Sequence, residues 1–404
     1  MHVALVVPGG VDRSGRERVI PALLWLIEGL ARRHRVTVIA LGHDPDAASW
    51  PLLGATVLNV PAERRGPHRL ARMVARAVLA AASEGRPDVV QSFWANVPGL
   101  VATAIGRRYS IPVAVHVAGG ELVRLDDIGY GGGLGRGGRL ISAAALRGAD
   151  RITVASEWMA DHVRACGYRV DGVIPLGIDR RLFHPGGTAA RPDGAPPRLV
   201  HVGNLNRVKD QFTLVDALAR LRAEVAGVDL AGVELDVVGV DTLGGAVQRH
   251  AAERGVADAV RFHGFVPSDR LGGLLRGAQL HLLSSRHDAG PVAVLEAAAC
   301  GVPTVGTAVG HVADLAALAE PGAVAVPTGD PGALATAARA VLGNPGRRAA
   351  LASAAQRWAE AHDADYTVGA FEALHRSMVG PAPPGGGRRT GAGRGLKRRR
   401  AGSS

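Results

Sequence analysis

Residues 279–306, "QLHLLSSRHDAGPVAVLEAAACGVPTVG", show an alternation of apolar runs and polar segments from which the fold class can be predicted. An apolar run at 279–283 is followed by a polar loop, a small apolar helical segment and a second apolar run at 302–306. Short strands that alternate with helices are typical of parallel sheets, and strands covered on both faces appear as continuous apolar runs. We therefore predict a parallel sheet here, with the loop after residue 283 at the carboxyl edge of its strands.

The same alternation of apolar runs and amphipathic helical patterns occurs in both halves of the chain. Residues 186–197, "GGTAARPDGAPP", lie between the halves and have the composition of a linker. We predict an α/β protein with two open sheets, in residues 1–185 and 198–360, and a ligand-binding cleft at the carboxyl ends of the strands. The predicted strands are 2–7, 36–41, 56–60, 88–91, 112–117, 151–155, 198–203, 234–239, 260–263, 279–283, 302–306 and 323–327.

The composition is that of a globular protein in a reducing compartment. Of 404 residues, 47% are hydrophobic and only 4% aromatic, so we expect a core of Val, Leu and Ala. Two cysteines, Cys166 and Cys300, are too few for a disulfide framework, which indicates a cytoplasmic location. The first residues, "MHVALVV", follow no basic segment and are predicted as a strand, not a signal peptide; no apolar run is long enough for a membrane span.

Much of the net charge of +11 comes from the end of the chain. Residues 381–404, "PAPPGGGRRTGAGRGLKRRRAGSS", have seven basic residues and no acidic one, so residues 1–380 carry a net charge of only +4. This composition predicts a disordered tail, which either is attracted to anionic lipid or nucleic acid or has no dedicated role. The predicted helix 67–83 bears Arg69, Arg72 and Arg76 on one face, for which either solvent or an anionic membrane surface is the expected environment.

Two loops that follow predicted strands have the composition of phosphate-binding sites. In "PGGVDRSGRERVI" (8–20), the glycines, Gly15 among them, leave backbone N–H groups unobstructed before a helix, although such a turn also serves as a plain connection. In "VGNLNRVKDQFTLVDAL" (202–218), Arg207 and Lys209 precede an amphipathic helix and could clamp the phosphates of a nucleotide. The alternative for this second loop is ordinary surface charge.

Two carboxylates flank the predicted helix start in the stretch 279–306. Gly290 and Pro291 suit the first helical position, because a proline there loses no needed N–H group. Asp288 then precedes the helix and Glu296 lies inside it, with a partially positive helix N-terminus between them. A sugar diphosphate fits this arrangement, because each carboxylate can accept hydrogen bonds from sugar hydroxyls and the helix end can hold an anion.

These segments resemble a known family. The segments "PLGIDRRLFHP" (175–185), "VGNLNRVKD" (202–210), "FHGFVPSDRL" (262–271) and the pair Asp288 and Glu296 occur in the order found in retaining GT-B glycosyltransferases of family 4. The resemblance runs from about residue 2 to residue 375. It implies a fold of two Rossmann-like parallel-sheet domains that face a central cleft, with a last helix, 361–380, that crosses back to the N-terminal domain.

The resemblance also implies roles for individual residues. Lys209 falls on the diphosphate-binding lysine, Glu296 on the ribose-binding glutamate, Asp288 on the acid that contacts the transferred sugar, and His116 on a histidine that faces this sugar. As catalytic residues we therefore predict His116, Asp288 and Lys209. The predicted donor-binding set is Gly15, Gly203, Asn204, Arg207, Lys209, Val266, Asp288, Gly290, Pro291, Val292 and Glu296, with Val266 in the segment near the nucleotide base.

This sequence departs from the family pattern at two positions. The first acid is usually glutamate and is Asp288 here, which is shorter by one methylene. The arginine expected after Gly203 is replaced by Asn204, and Arg207 is the candidate substitute for the missing phosphate cation.

A glycine-rich segment, "IGYGGGLGRGG" (128–138), contains G-x-G-x-x-G without a preceding strand, so we expect a mobile loop near the acceptor.

The expected function is transfer of a sugar from a nucleotide-diphosphate sugar to an acceptor with retention of configuration. No metal and no cofactor are expected, because cations and helix N-termini neutralise the phosphates. The alternatives are a nucleotide-sugar epimerase of related fold and a non-catalytic subunit that binds sugar nucleotides. The expected partners are the donor and the acceptor, with peripheral contact at the inner face of the membrane as a further possibility and no nucleic acid.

Overall fold

The computed structural model describes residues 1–62, 68–186, 196–223, 230 and 232–380 of the chain. Most of the linker predicted at 186–197, and the whole tail predicted at 381–404, lie outside these residues. Within the described ranges, no helix is both long enough and apolar enough to cross a membrane.

The N-terminal half forms an eight-stranded sheet covered by helices. Its strands are β1 (His2–Val7), β2 (Arg35–Leu41), β3 (Ala48–Leu52), β4 (Ala55–Val60), β5 (Val89–Phe93), β6 (Val113–Val117), β7 (Arg151–Val154) and β8 (Gly172–Val173). The helices are α1 (Pro21–Ala31), α2 (Arg69–Ser83), α3 (Val97–Tyr109), α4 (Arg136–Arg147) and α5 (Glu157–Ala165). The strand order is β3-β4-β2-β1-β5-β6-β7-β8, and every neighbouring pair is parallel except β3 with β4.

The C-terminal half forms a six-stranded sheet in which all strands are parallel. Its strands are β9 (Arg198–Val202), β10 (Glu234–Val238), β11 (Val260–Gly264), β12 (Leu280–Leu283), β13 (Thr304–Thr307) and β14 (Ala323–Val326), in the order β11-β10-β9-β12-β13-β14. The helices are α6 (Gln211–Arg222), α7 (Ala246–Glu253), α8 (Ser268–Arg276), α9 (Val292–Ala299), α10 (Gly310–Ala316), α11 (Pro331–Leu342), α12 (Pro345–Ala361) and α13 (Ala364–Val379). The expected α/β class with two parallel-sheet domains is therefore confirmed.

Strand β3 is a departure from the sequence prediction. It pairs antiparallel with β4 through a two-residue turn, Leu53 and Gly54, whose φ angles are 52° and 84°. Positive φ at both positions matches the right-handed twist of a hairpin. The segment contains Pro51, which argues against a central strand but is tolerated at an edge, where one side of the backbone needs no partner.

Each sheet has a point at which the strand order reverses. In the N-terminal sheet the reversal lies between β1 and β5, and in the C-terminal sheet it lies between β9 and β12. At such a switch point the loops after the two strands diverge and leave a crevice for a ligand. The loops after β1, β9 and β12 contain most of the candidate residues predicted from the sequence.

Helix α13 ties the end of the described chain to the N-terminal domain. Its Phe371 is fully buried and packs edge-on against Phe93 of β5, with ring centroids 5.4 Å apart. Glu372 lies beside Arg33 at 2.9 Å and His34 at 3.1 Å, just beyond α1. The last helix therefore belongs to the packing of the N-terminal domain.

Gly177 lies where the chain leaves the N-terminal domain, and the fold requires a glycine there. A Cβ at this position would lie 2.3 Å from the backbone of His362 and Asp363, at the start of α13. The Gly177 N–H donates to the hydroxyl of Thr367 at 2.9 Å, and that hydroxyl donates to the carbonyl of Pro175 at 2.7 Å. Gly177 thus allows the segment 175–185 to cross the start of α13 in direct contact.

Direct contacts hold the two domains together along the cleft. On one side, Asp314 of α10 accepts the N–H groups of Glu157 and Trp158, both at 2.9 Å, and so caps helix α5 of the other domain. Nearer the cleft, His287 contacts the carbonyl oxygen of Gly119 at 3.2 Å, and Arg286 forms an ion pair with Asp127 at 2.9 Å. The two domains are therefore in direct contact with each other beside the cleft, an arrangement that we call closed.

Candidate active site

A cavity of about 520 Å³ lies between the domains at the carboxyl ends of the strands. Its walls come from the loop after β1, the loop after β9, the segment before α8 and the first turns of α9. Among the residues that line it are Gly15, Arg16, Trp25, Gly203, Asn204, Lys209, Gly239, Phe265, Val266, Asp269, Val292, Ala293 and Glu296. The cavity thus brings together seven of the predicted donor-binding residues: Gly15, Gly203, Asn204, Lys209, Val266, Val292 and Glu296.

Asp12 organises the glycine loop that forms the N-terminal wall. Its carboxylate accepts the N–H of Ser14 at 2.9 Å and pairs with Arg18, while the Ser14 hydroxyl accepts the N–H groups of Arg16 and Glu17 at 3.2 and 3.1 Å. The N–H of Ser14, assisted by Arg18, holds the pKa of Asp12 well below its usual range. Gly15 follows with a φ of 64°, a conformation that favours glycine.

The loop after β9 holds Lys209 by its backbone. The N–H of Lys209 donates to the side chain of Asn206 at 2.9 Å, and its carbonyl accepts the hydroxyl of Ser284 at 2.9 Å. The ammonium group forms an ion pair with Asp288, and the two side chains are 23% and 16% exposed. The cation and the sugar-site carboxylate predicted from the sequence are therefore direct partners in the structure.

Gly239, after β10, was not predicted as part of the site. Its φ is 146°, and a Cβ there would lie 2.2 Å from the carbonyl oxygen of Gly203. The ends of β9 and β10 can approach this closely only because the residue has no side chain. The signal in the sequence was the glycine that ends the apolar run 234–239.

Glu296 is a buried carboxylate on the wall of the cavity. It lies in the second turn of α9, is 6% exposed, and has no hydrogen-bond partner among the described residues. Burial raises the pKa of Glu296 to about 7. Because Glu296 lines the cavity, a ligand bound there could supply the hydrogen bonds that this carboxylate lacks within the described protein.

Helix α9 begins one residue later than the sequence suggested. Pro291 is the N-cap residue, with φ −65° and ψ 105°, and Val292 is the first helical residue. Gly290 precedes it, and a Cβ on Gly290 would lie 2.6 Å from Ala155 of the other domain. Gly290 and Pro291 therefore shape the helix start, and Val292 and Ala293 of the first turn line the cavity.

His116, predicted as a catalytic residue, is not among the residues that line the cavity. The side chain is fully buried, with its ring 5.3 Å from that of Phe93 and 5.4 Å from that of Phe371. Its Nδ1 atom lies 2.9 Å from the hydroxyl of Thr153, and burial lowers the pKa of His116 to about 3. This histidine is a neutral core residue between the sheet and α13.

Arg207 does not take the place of the phosphate-binding arginine that the family pattern has at position 204. Arg207 is exposed and lies outside the walls of the cavity. Asn204 lines the cavity, and its side-chain oxygen accepts the N–H of Val240 at 2.9 Å, which fixes the amide near the end of β10. The expectation that Arg207 replaces an arginine at position 204 therefore finds no support in the geometry.

Three side chains near the cleft were not predicted. Arg16 and Phe265 line the cavity, and Phe265 is 51% exposed. Tyr130 lies near Asp288 and Glu121, and burial, followed by these two charges, raises the pKa of its hydroxyl to about 12. Arg16 and Phe265 are direct neighbours of predicted residues, whereas Tyr130 belongs to the glycine-rich loop expected to be mobile.

The glycine-rich loop 128–138 packs closely against the segment that precedes it, residues 121–123. A Cβ on Gly131 would lie 2.0 Å from the carbonyl oxygen of Val123, and one on Gly132 would lie 2.3 Å from that of Glu121. Tyr130 and Leu125 form a β-bridge at the turn. Close packing of backbone on backbone therefore accounts for Gly131 and Gly132.

Comparison of the sequence with known proteins gives two family matches. Residues 189–358 match the family described as glycosyl transferases group 1, and residues 19–177 match the glycosyl transferase 4-like domain. A D-inositol 3-phosphate glycosyltransferase of Xylanimonas cellulosilytica is 30% identical over 387 residues, covering 86% of this chain and 88% of the relative. A glycogen synthase of Mycobacterium tuberculosis is 29% identical over 280 residues, covering 68% of this chain and 63% of the relative.

Solved structures share the fold at low sequence identity. A sucrose-phosphate synthase from Thermosynechococcus elongatus superposes with a TM-score of 0.79 and 19% identity, covering 94% of this chain and 99% of that chain. Anabaena HepE, solved in complex with UDP-glucose, superposes with a TM-score of 0.69 and 19% identity, covering 93% of this chain and 99% of that chain. At this identity the likeness shows a common two-domain architecture.

Proposed function

The chain belongs to the glycosyl transferases group 1 family, and on that premise we propose that it transfers a sugar from a nucleotide-diphosphate sugar to an acceptor with retention of configuration. The observation that carries this proposal is Glu296, a buried and unpaired carboxylate on the wall of a cavity that also contains Lys209. A ribose with two adjacent hydroxyls is a suitable donor of hydrogen bonds to such a carboxylate.

In the proposed mode of binding, each element of the cavity contacts a different part of the donor. Glu296 accepts the ribose hydroxyls, and Phe265 and Val266 lie beside the base. Lys209 and the N–H groups at the start of α9 hold the diphosphate, because the first turn of a helix has unpaired donors and a partial positive charge. Asp288, released from Lys209 by the phosphates, accepts a hydroxyl of the transferred sugar.

The proposed step is electrostatic in character. The bond between the anomeric carbon and the diphosphate oxygen breaks, and the acceptor oxygen attacks the same face of the sugar. The acceptor proton passes to an oxygen of the departing diphosphate, so the bonds and charges balance. Lys209 and the helix N-terminus stabilise the negative charge that develops on the leaving group.

Incubation with a panel of nucleotide sugars and candidate acceptors tests the proposal. We expect free nucleoside diphosphate together with a glycosylated acceptor, and NMR of the product should show the anomeric configuration of the donor. An inverted product would contradict retention. An isomerised donor without acceptor would show an epimerase, and tight donor binding without turnover would show a non-catalytic subunit.

We propose further that the reaction needs no divalent metal. The cavity contains a lysine and a helix N-terminus where a metal-dependent enzyme would bring Mg²⁺ or Mn²⁺ to the phosphates. Activity should persist unchanged in excess EDTA. Loss of activity in EDTA with recovery on addition of Mg²⁺ or Mn²⁺ would contradict this.

Peripheral contact with an anionic membrane is part of the proposal. Helices α2 and α4 both pack on α3 and expose leucines, Leu79 and Leu140, each at 71%. Exposed arginines accompany them, Arg69 on α2 and Arg136 on α4. Apolar side chains among cationic ones suit the interface of an anionic bilayer.

A further inference from the structure

The loop after β1 contains three arginines that have different environments. Arg13 lies 3.4 Å from Asp44, and Arg18 pairs with both Asp12 and Asp44, so these two are held on the side of the N-terminal domain. Arg16 instead lines the cavity between the domains. Its guanidinium lies 3.9 Å from the carboxylate of Asp269 of the C-terminal domain, across the cleft, and its side chain is 77% exposed.

The charges around the cavity are too few for a diphosphate if the C-terminal domain acts alone. Within the described residues, Arg16 and Lys209 are the two cationic side chains that line it. Lys209 pairs with Asp288, and Asn204 is neutral. A donor diphosphate carries about two negative charges near neutral pH, so one lysine and a helix N-terminus leave part of this charge unneutralised.

We propose that Arg16 is the second cation of the diphosphate site and that the N-terminal domain supplies it. This inference rests on the proposed function, because it assumes that the cavity binds a nucleoside diphosphate. The guanidinium presents parallel N–H donors that match phosphate oxygens in a bidentate contact. Asp269 is the resting partner of Arg16, and the long 3.9 Å contact between exposed side chains is weak enough for phosphate to replace.

Supply of this cation by the N-terminal domain makes donor binding depend on domain closure. Lys209, Glu296 and helix α9 belong to the C-terminal domain, whereas Arg16 is fixed to β1 through the turn at Asp12 and Ser14. The diphosphate is therefore bound in full only when the two domains are in the closed arrangement. Nucleoside binding, which needs only the C-terminal wall, does not depend on Arg16.

The test is titration calorimetry of the full chain with UDP, GDP and ADP and with the nucleoside of whichever binds. Arg16→Ala should weaken the nucleoside diphosphate about tenfold to a hundredfold, the loss expected for a charge-assisted bidentate contact, and leave the nucleoside unchanged. Arg16→Lys should recover part of the loss. Arg13→Ala is the matched control, because it removes an arginine of the same loop that faces Asp44, and it should bind within about twofold of the wild type.

Three outcomes would overturn this inference. Arg16→Ala could bind the nucleoside diphosphate as well as the wild type does, or it could weaken nucleoside and diphosphate equally, which would indicate a change of shape and not of phosphate contact. Alternatively, Arg207→Ala could cause the larger loss. If the wild-type protein binds none of the three diphosphates, the proposed function itself fails. If the wild type binds one of them and Arg16→Ala binds it equally well, this inference alone fails. Melting temperatures of all variants show whether each is folded.

Discussion

Glu296 combines a cost in stability with a gain in binding. Burial raises the pKa of Glu296 from its ordinary value of 4.5 to about 7, because it disfavours the charged form. The folded state therefore binds more protons than the unfolded state between these values, and stability falls as the pH rises through this window. Above pH 7 the full cost remains.

Replacement of Glu296 by glutamine should therefore stabilise the protein and damage donor binding. At pH 8 we expect Glu296→Gln to raise the free energy of unfolding by about 1–3 kcal/mol, and we expect the difference to vanish near pH 4.5. Affinity for the nucleoside diphosphate should fall about tenfold or more, because charge-assisted hydrogen bonds to the ribose are lost. Denaturant unfolding at both pH values, with calorimetry of binding, measures both effects.

A control is available in Glu253, whose side chain is 73% exposed. Glu253→Gln should change neither the pH dependence of stability nor the affinity. If the free energy of unfolding depends on pH equally in the wild type and in Glu296→Gln, Glu296 is not a buried, unpaired carboxylate.

Substitutions at Asp288 and Lys209 should have opposite effects on the affinity for the nucleoside diphosphate. Because Asp288 is the partner of Lys209, Asp288→Asn frees the ammonium group and removes a negative charge beside the phosphates. Nucleoside diphosphate should then bind as tightly as in the wild type or more tightly, while turnover falls strongly. Lys209→Met should instead weaken the diphosphate. A parallel loss of affinity in both variants would show that the pair acts as one binding unit.

The sequence predicted the types of residue in the site better than their orientation. Lys209, Asp288 and Glu296 follow parallel strands, where chain direction alone brings side chains to the cleft. His116 lies in "VAVHV", a strand buried on both faces, and apolar neighbours on either side do not tell which face meets the cleft. The position of Arg16 on the wall of the cavity depends on the C-terminal domain lying opposite it. No local sequence pattern predicts this contact between domains.

At the scale of elements, glycines mark where two segments of backbone touch. Gly177→Ala would place a methyl group 2.3 Å from the backbone at the start of α13, so one segment must move. We expect a loss of about 1–3 kcal/mol in the free energy of unfolding, the usual cost of overpacking. Gly369→Ala is the matched control: Gly369 lies in α13, where an added Cβ meets nothing within 4 Å.

The control should change stability in the opposite direction. In an exposed helical position alanine is favoured over glycine by roughly 0.5–1 kcal/mol, so Gly369→Ala should stabilise the protein. Denaturant unfolding of the two variants measures both signs. Similar values for the two would show that the crossing of the chain at Gly177 tolerates a side chain.

Periodicity identified the buried parallel strands because each is a continuous apolar run between turns. It missed β3 and β8, which are edge strands and bury less. Strand β8 has only two residues, Gly172 and Val173, and no pattern of that length distinguishes a strand from a loop. The strands that a core must bury were therefore predictable, as were the edge strands β11 and β14 of the C-terminal sheet, whereas the two edge strands of the N-terminal sheet were not.

At the scale of the whole molecule, α2 and α4 present a basic and partly apolar surface. We expect the protein to float with vesicles that contain anionic lipid and not with neutral vesicles. The double variant Leu79→Glu and Leu140→Glu should reduce flotation, since both leucines are exposed and make little contribution to the core. Truncation after residue 380 separates the contribution of the seven basic residues of the tail.

If the truncated protein loses all membrane affinity while the double leucine variant retains it, the tail and not the helical surface is the contact. Flotation that is equal for anionic and neutral vesicles would contradict an electrostatic origin. Turnover of a water-soluble acceptor should be unaffected by truncation, because the cavity is lined by residues that precede 297.

The walls of the cavity belong to two domains, and this has a consequence for the order of events in a catalytic cycle. In the proposed mode of binding, a nucleoside diphosphate bridges both walls, whereas the transferred sugar leaves with the acceptor. The spent nucleotide should then be the last product to depart, and the domains must part before it can. We expect such an enzyme to be inhibited by its own nucleotide in competition with fresh donor, and to turn over at a rate set by the reopening of the cleft.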